Sequence, residues 1–310
     1  MSGSTRRNFI VTSGLLSGGL ATGILTPPTL AQDKEPAMSI ARWASPSDEE
    51  AAIAEAAKSM TKKAIEALGG MQRFVKEGEV VWVKPNIGWD RTPEQAANTN
   101  PDVVATIVEL CFEAGASQVK VGDFTCHEER RTYHRSGIKA AAEAAGADVY
   151  FVEKRKFKEM NVGGQIIQEW PVYADMYEAD ALINVPIVKH HGLSEATLGM
   201  KNLMGCIEKR NQLHQDLTNT LPDLGAFFKP RLVVIDAIRI LQEHGPVGGN
   251  LEDVKRKNVL AAGVDQVALD AFGAELLGNA PEEIGYVKEA AARGMGTMDY
   301  KSLSPKEITV

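Results

Sequence analysis

Lys189, His190, His191 and Gly192 set an ammonium and two imidazoles side by side. Neutral imidazole moves protons or ligates metal near neutral pH, and a neighbouring ammonium favours an anionic partner. Adjacent histidines point different ways, so one of the pair serves a site. His190, closer to the end of the preceding apolar run, is the candidate acid or base. A second cation, Lys84, directly follows another apolar run and is locked by Pro85, with Asn86 next in line. Lys201 and Asn202 form a third group, between Gly199 and Gly205 in LGMKNLMGC. Glycines there allow close backbone approach, and the free amides of a first helical turn suit an anion. Each feature also has a plainer reading: a lysine paired at a sheet rim, an asparagine bracing a turn, an amphipathic helix packing Leu198, Leu203 and Met204.

His214, in NQLHQD, is a second candidate acid or base, and Asp123 would orient an imidazole or share in the proton transfer. Asp236 and Asp270 are the carboxylates proposed for a divalent metal, whereas helix capping accounts for Asp265 unaided. The turn QEHGPVGGN, residues 242–250, has glycines able to shape a pocket rim. Cys126, His127 and His134 include soft metal donors, but RRTYHR around them reads as a solvated loop. HEERR lacks the second histidine of a zincin, and no phosphate-binding P-loop, strand-linked G-x-G-x-x-G or G-x-S-x-G elbow is present.

The elements that must position these groups alternate. Apolar runs at residues 80–83, 119–121, 148–152, 181–185, 232–235 and 259–262 read as strands. Helices are expected over 47–68, with Ser47 as N-cap, then over 102–114, 138–145, 266–277 and 281–293, with a long helical section from 199 to 228. Residues 32–47, polar and carrying Pro36 and Pro46, read as an arm over the surface. Strands alternating with helices specify an α/β fold, a mostly parallel sheet with helices on both faces, as a single domain over 48–310. Lys84, Asp123, the KHH run and Asp236 would then all stand at carboxyl ends of strands. In an open parallel sheet that edge holds the ligand crevice, where the strand order reverses.

Arg6 and Arg7 are the only charges before Asp33, and they precede an apolar run reaching about Leu25. Thr29-Leu30-Ala31 then supplies small residues before a cleavage point. Residues 1–31 therefore read as a twin-arginine signal peptide, and Gly14, Gly18, Gly19 and Gly23 dilute the run below a comfortable membrane anchor. The expected location is periplasmic or extracellular, with the twin-arginine translocase as a partner and no stable span after cleavage. Cleavage leaves 279 of the 310 residues, and removing two arginines from 34 basic against 41 acidic residues leaves a charge of −9. A nucleic-acid partner is disfavoured by that balance. Cys111, Cys126 and Cys206 are too few for an iron–sulfur cluster of four cysteines, and Cys126 with Cys206 is the only disulfide pairing that their polar loops suggest.

KPN, then GD, NVPIVKHHG, LGMKNLMG, a downstream His, VVIDAI, a GP-G turn and DQVALDAFGAELLG together resemble the domain-of-unknown-function 362 family, from about Val80 to Gly296. The resemblance implies that Lys84, Asn86, Asp123, Lys189, His190, Lys201, Asn202, His214, Asp236 and Asp270 fall on recurring family positions. Many members carry cysteine motifs for iron–sulfur clusters, which this chain lacks. A fainter likeness to nickel-pincer lactate racemases, in which a Lys-x-His or similar loop follows a comparable strand, stays at the level of fold analogy and licenses no cofactor.

The resulting expectation is an enzyme acting on a small anionic molecule, a carboxylate or phosphate. Lys84, Asn86, Lys189, Lys201 and Asn202 bind it; His190, His214 and Asp123 carry proton transfer. The alternatives are a non-catalytic binding protein for an anion or metal chelate, and a family member that serves as a structural partner.

Overall fold

Val81 and Val83 are buried in one hydrophobic core and Trp82, between them, in another. The same alternation separates Leu232 and Val234 from Val233 and Ile235. Side chains of a strand point to opposite faces in turn, so a sheet with apolar residues at every position must be covered twice. A computed structural model describes residues 35–310. The signal peptide expected over residues 1–31 lies outside the described residues.

The strands, in chain order, are β1 (Met38–Arg42), β2 (Val80–Pro85), β3 (Gln118–Val121), β4 (Asp148–Val149), β5 (Phe157–Asn161), β6 (Glu169–Tyr173), β7 (Ala181–Val185), β8 (Ile187–His191), β9 (Glu195–Thr197), β10 (Leu232–Leu241), β11 (Val254–Gly263) and β12 (Lys306–Thr309). The helices are α1 (Glu50–Ala67), α2 (Pro101–Glu113), α3 (Glu129–Arg135), α4 (Ile138–Ala144), α5 (Ala174–Tyr177), α6 (Gly199–Asn202), α7 (Arg210–Leu213), α8 (Leu217–Phe228), α9 (Gln266–Leu277) and α10 (Gly285–Ala292). The main sheet runs β12-β1-β11-β10-β7-β2-β3-β4, and β5 and β6 form a separate antiparallel pair. Its central ladder, β10-β7-β2-β3-β4, is parallel throughout, while β11 joins β10 and β1 in antiparallel fashion. Helices α1, α2 and α4 supply one core, and α8, α9 and α10 the other. The chain is therefore the expected α/β fold with helices on both faces. No helix among the described residues is long and apolar enough to cross a membrane.

Local chemistry explains the element ends. Asn100 accepts the amide of Asp102 and Pro101 occupies the first turn of α2, where a missing N–H costs nothing. Beyond that helix Gly115 takes φ +98°, a conformation that a residue with a Cβ adopts only under strain.

Four expectations need correction. Within the expected surface arm, Met38–Arg42 is β1, inserted between β11 and β12; Met38 and Ile40 are buried, which outweighs the polar residues on either side. Helix α1 starts at Glu50 with Glu49 as its N-cap, and Ser47 instead accepts the Glu49 amide. The section from 199 to 228 is three helices, broken at Lys209 (φ +54°) and capped afresh by Asp216. Lys189-His190-His191 lie in β8, and β10 continues past Asp236 to Leu241, so neither is a loop beyond a strand end.

From β2 the chain crosses through α2 to β3 on one side, whereas β7 lies on the other. The strand order thus reverses between β2 and β7. Beyond the Pro85–Val185 pair the neighbours part: past Pro186 the chain continues as β8, which follows β10 and folds back as β9. The sheet opens at its switch point, on the carboxyl side.

Candidate functional site

Lys84 ends β2 on the face it shares with Trp82, fully buried. Its ammonium pairs with Asp123 Oδ1 at 2.8 Å and donates to Pro85 O at 2.9 Å and Asn202 Oδ1 at 3.0 Å. Every N–H of Lys84 is therefore engaged. Asp123 Oδ2 accepts the Ile87 amide at 2.7 Å, and its own amide donates to the buried Tyr133 hydroxyl. Asn202, from α6, donates to Asn184 Oδ1 and to Lys84 O and accepts from Asn86 Nδ2 at 2.9 Å. Asn86 Oδ1 in turn accepts from Lys189 Nζ at 2.9 Å. This chain of polar contacts ties the ends of β2, β3, β7 and β8 to α6. Gly205 makes it possible: a Cβ at that position would collide with Asp123 Oδ1 and Lys84 Nζ.

Beside this network lies a cavity of about 660 Å3, lined among others by Asn86, Asp123, Cys126, Lys189, His191, Lys201, Asn202, Arg210 and His214. Its charges are unbalanced. Asp123, the one carboxylate in the lining among the described residues, is already paired with Lys84. Lys189 spends two donors on Asn86 Oδ1 and Ala97 O. Burial, with Lys201 and Lys84 nearby, pushes its ammonium down to about 7 despite opposing pulls from Cys126 and Asp123. Lys201 is 6% exposed, and among the described residues its one polar contact is Met204 Sδ at 3.5 Å, a weak acceptor. Burial and then the Arg210 charge lower it to about 8, against the pull of Cys126. Arg210 is held over the Phe124 ring and donates to Phe124 O and Thr125 O.

The two histidines of the cavity are set in opposite tautomers. His191 Nδ1 accepts the Leu193 amide at 3.1 Å, so its neutral ring carries the proton on Nε2. His214 Nδ1 sits 3.0 Å from the Arg210 carbonyl, which only accepts, so its neutral ring carries the proton on Nδ1 and leaves Nε2 as a base. The rings lie 6.3 Å apart, nearly parallel. Burial, followed by Lys201 and Lys189, holds His191 down to about 3, and burial and Lys201 also lower His214. At neutral pH one ring offers a hydrogen-bond donor and the other a lone pair.

The expected residues are thus only partly brought together. Asn86, Asp123, Lys189, Lys201, Asn202 and His214 line the cavity, whereas Lys84 stands behind its wall. His190 does not line it: alternation along β8 turns that ring away, and its Nδ1 accepts the Gly245 amide. His191 takes the place expected of His190. Asp236 and Asp270, the expected metal pair, are also outside the lining. Asp236 accepts the amides of Asn100 and Ile238, and burial raises its carboxyl to about 6. Asp270 accepts the amides of Gly199 and Met200, and burial raises it to about 7. The first-turn amides expected to meet an anion are therefore already met by Asp270. Among the described residues the lining offers no unpaired carboxylate, so it lacks the oxygen ligands that a hard divalent cation such as Mg2+ or Ca2+ requires. Among the described residues, Glu243, His244 and Asp253 bring potential metal donors within 4.8 Å of one another, in the turn after β10.

Arg210 and His191 escape the sequence reading. Arg210 follows a break that no periodicity marks, whereas strand alternation from Ile187 would have singled out Lys189 and His191 as one face. The three cysteines are free, with Cys126 exposed at the cavity and Cys111 and Cys206 buried, so the suggested bond is not formed.

Comparison with known proteins follows this geometry. The chain is 27% identical over 265 residues to the thylakoid-associated protein sll1697 of Synechocystis sp., covering 79% of each chain. Among solved structures it is similar to the lactate racemase apoprotein from Thermoanaerobacterium thermosaccharolyticum, with 12% identity, a TM-score of 0.45 and coverage of 76% of this chain and 56% of the other. A structural-genomics target from Thermotoga maritima gives 12% identity and a TM-score of 0.37, with 77% and 59% covered. The chain spans little more than half the length of these two structures. Residues 81–275 match the Domain of unknown function (DUF362), and those residues include the switch point, both lysines of the cavity and both of its histidines. The chain belongs to the DUF362 family.

Proposed function

We propose that the protein is an enzyme acting on a small anionic substrate, a carboxylate or phosphate, in the cavity at the sheet's switch point. The observation that carries this reading is the charge imbalance of the lining. Lys189, Lys201 and Arg210 face a space whose one carboxylate is already neutralised. Burying like charges together is unfavourable, and an anion relieves it. His214 can take a proton at Nε2 while the neutral His191 Nε2–H donates a hydrogen bond to developing negative charge, which favours catalysis over mere capture. Arg6 and Arg7 support export by the twin-arginine route to the periplasm.

Calorimetric titration with small carboxylates and inorganic phosphate tests the site. Lys189→Met and Lys201→Met, made separately, are each expected to weaken binding at least tenfold, roughly 1.4 kcal/mol. Unchanged affinity for a ligand that binds the wild type would sink the assignment. Cell fractionation of an Arg6→Lys, Arg7→Lys double variant tests the route, and undiminished export would end that part of the proposal.

A further inference from the structure

We propose that Lys201 is a covalent nucleophile whose buried, oxygen-free amine condenses with the carbonyl of a small oxo acid to form an imine in the cavity. The inference rests on the anion-binding reading above and names its substrate class.

Three lysines surround this region, and their partners separate them. Lys84 is saturated by a carboxylate, a carbonyl and an amide oxygen. Lys189 is anchored by Asn86 Oδ1 and Ala97 O. Lys201 has only a thioether, although it is 6% exposed and lines the cavity. Among the described residues no carboxylate or other oxygen partner reaches its ammonium, which favours the neutral amine, and a neutral buried amine is the form that attacks a carbonyl. Its lowering to about 8, caused first by burial, agrees with that geometry.

The rest of the lining supplies what condensation needs. Lys201 ammonium plus the carbonyl gives a protonated imine plus water, so charge and atoms balance. The amine first loses a proton, for which His214 Nε2 is the unprotonated base. Nitrogen then bonds to the carbonyl carbon, and the resulting hydroxyl leaves as water after taking back the proton held on His214 Nε2, while the neutral His191 Nε2–H donates a hydrogen bond to that oxygen. The substrate's carboxylate meets Arg210 and the remaining donor of Lys189. A phosphate or a saturated hydroxy acid would bind the same cations but could not condense. The carbonyl requirement is therefore what separates this inference from simple anion binding.

The test uses the full chain with pyruvate and sodium cyanoborohydride, peptide mass spectrometry to locate the adduct, and calorimetry with pyruvate and lactate in parallel. The expected result is one reduced pyruvyl group on Lys201, lost in Lys201→Arg and retained in Lys288→Arg, a change on the exposed surface of α10, with lactate binding but leaving no adduct. Because the adduct is mapped on the wild type, the result does not depend on a variant folding. Binding of both acids without an adduct on Lys201 overturns the imine and leaves the anion site standing. Labelling spread over surface lysines at equal yield also overturns it, and so does binding of neither acid, which overturns the anion site as well when inorganic phosphate also fails to bind.

Discussion

Lys84 and Lys201 are both buried and both lie on the carboxyl side of the parallel ladder, yet their surroundings differ. Around Lys84 each donor has an oxygen and the paired carboxylate has its own amide partner. Around Lys201 there is a sulfur atom, an open cavity and more positive charge. Burial alone thus says little about function; the inventory of acceptors does. A satisfied lysine holds strands together, and an unsatisfied one waits for a partner from outside.

The comparison breaks most directly at Asp123. Asp123→Ala leaves the Lys84 ammonium buried without its counter-charge, and removing one partner of a buried pair costs about 3–5 kcal/mol. Urea unfolding should show that loss; a change below about 1 kcal/mol would make the pair ornamental. Gly205→Ala comes next, because the added methyl meets Asp123 Oδ1 and Lys84 Nζ. Overpacking of this kind costs roughly 1–3 kcal/mol, read from the same unfolding curves. Lys201→Met should behave in the opposite way. Replacing an unpaired buried cation by an apolar chain of similar volume should leave stability within about 1 kcal/mol or raise it, while binding of small carboxylates weakens at least about tenfold.

A pH series gives the smallest and sharpest contrast. Unfolded lysine keeps its proton to near 10.5, whereas folded Lys189 and Lys201 release theirs near 7 and 8. Between those values the unfolded state binds more protons, so the contribution of this pair to ligand-free stability rises from pH 7 towards 10.5. Anion affinity should fall over the same interval as the cations disappear. Thermal melts and calorimetry at matched pH values check the opposing slopes, and parallel slopes would contradict the assignment of these two groups to the site.

Much of this arrangement was legible in the residues. Apolar runs ending in Lys84, Asp123 and the PIVKHH segment placed chemistry at one sheet edge, because strand ends at a switch point converge whatever the sequence between them. The failures lie where a polar residue was taken as the end of an element. Asp236 interrupts an apolar run that resumes as AIRIL, and two backbone amides make its burial tolerable. Lys189 and the histidines are polar enough to suggest a loop, yet pairing with β9 and β10 keeps them extended. That single misreading pointed to His190 where the cavity is lined by His191, since alternation turns a shift of one residue into the opposite face. Lys201 was visible as a cation between glycines, but its lack of an oxygen partner depends on contacts that only the folded chain reveals.

The edge strand β12 offers a practical use for the sheet itself. It runs parallel to β1 and ends at the same rim of the sheet as β2 and β3, six strand positions from β3 in the order of the sheet. At the usual spacing of roughly 4.8 Å that is on the order of 29 Å. Cys126, just after β3, is exposed while the other two cysteines are buried. A thiol-reactive dye there and an acceptor dye attached at Val310 would form an optical ruler spanning the sheet, with one end at the mouth of the cavity and the other clear of it.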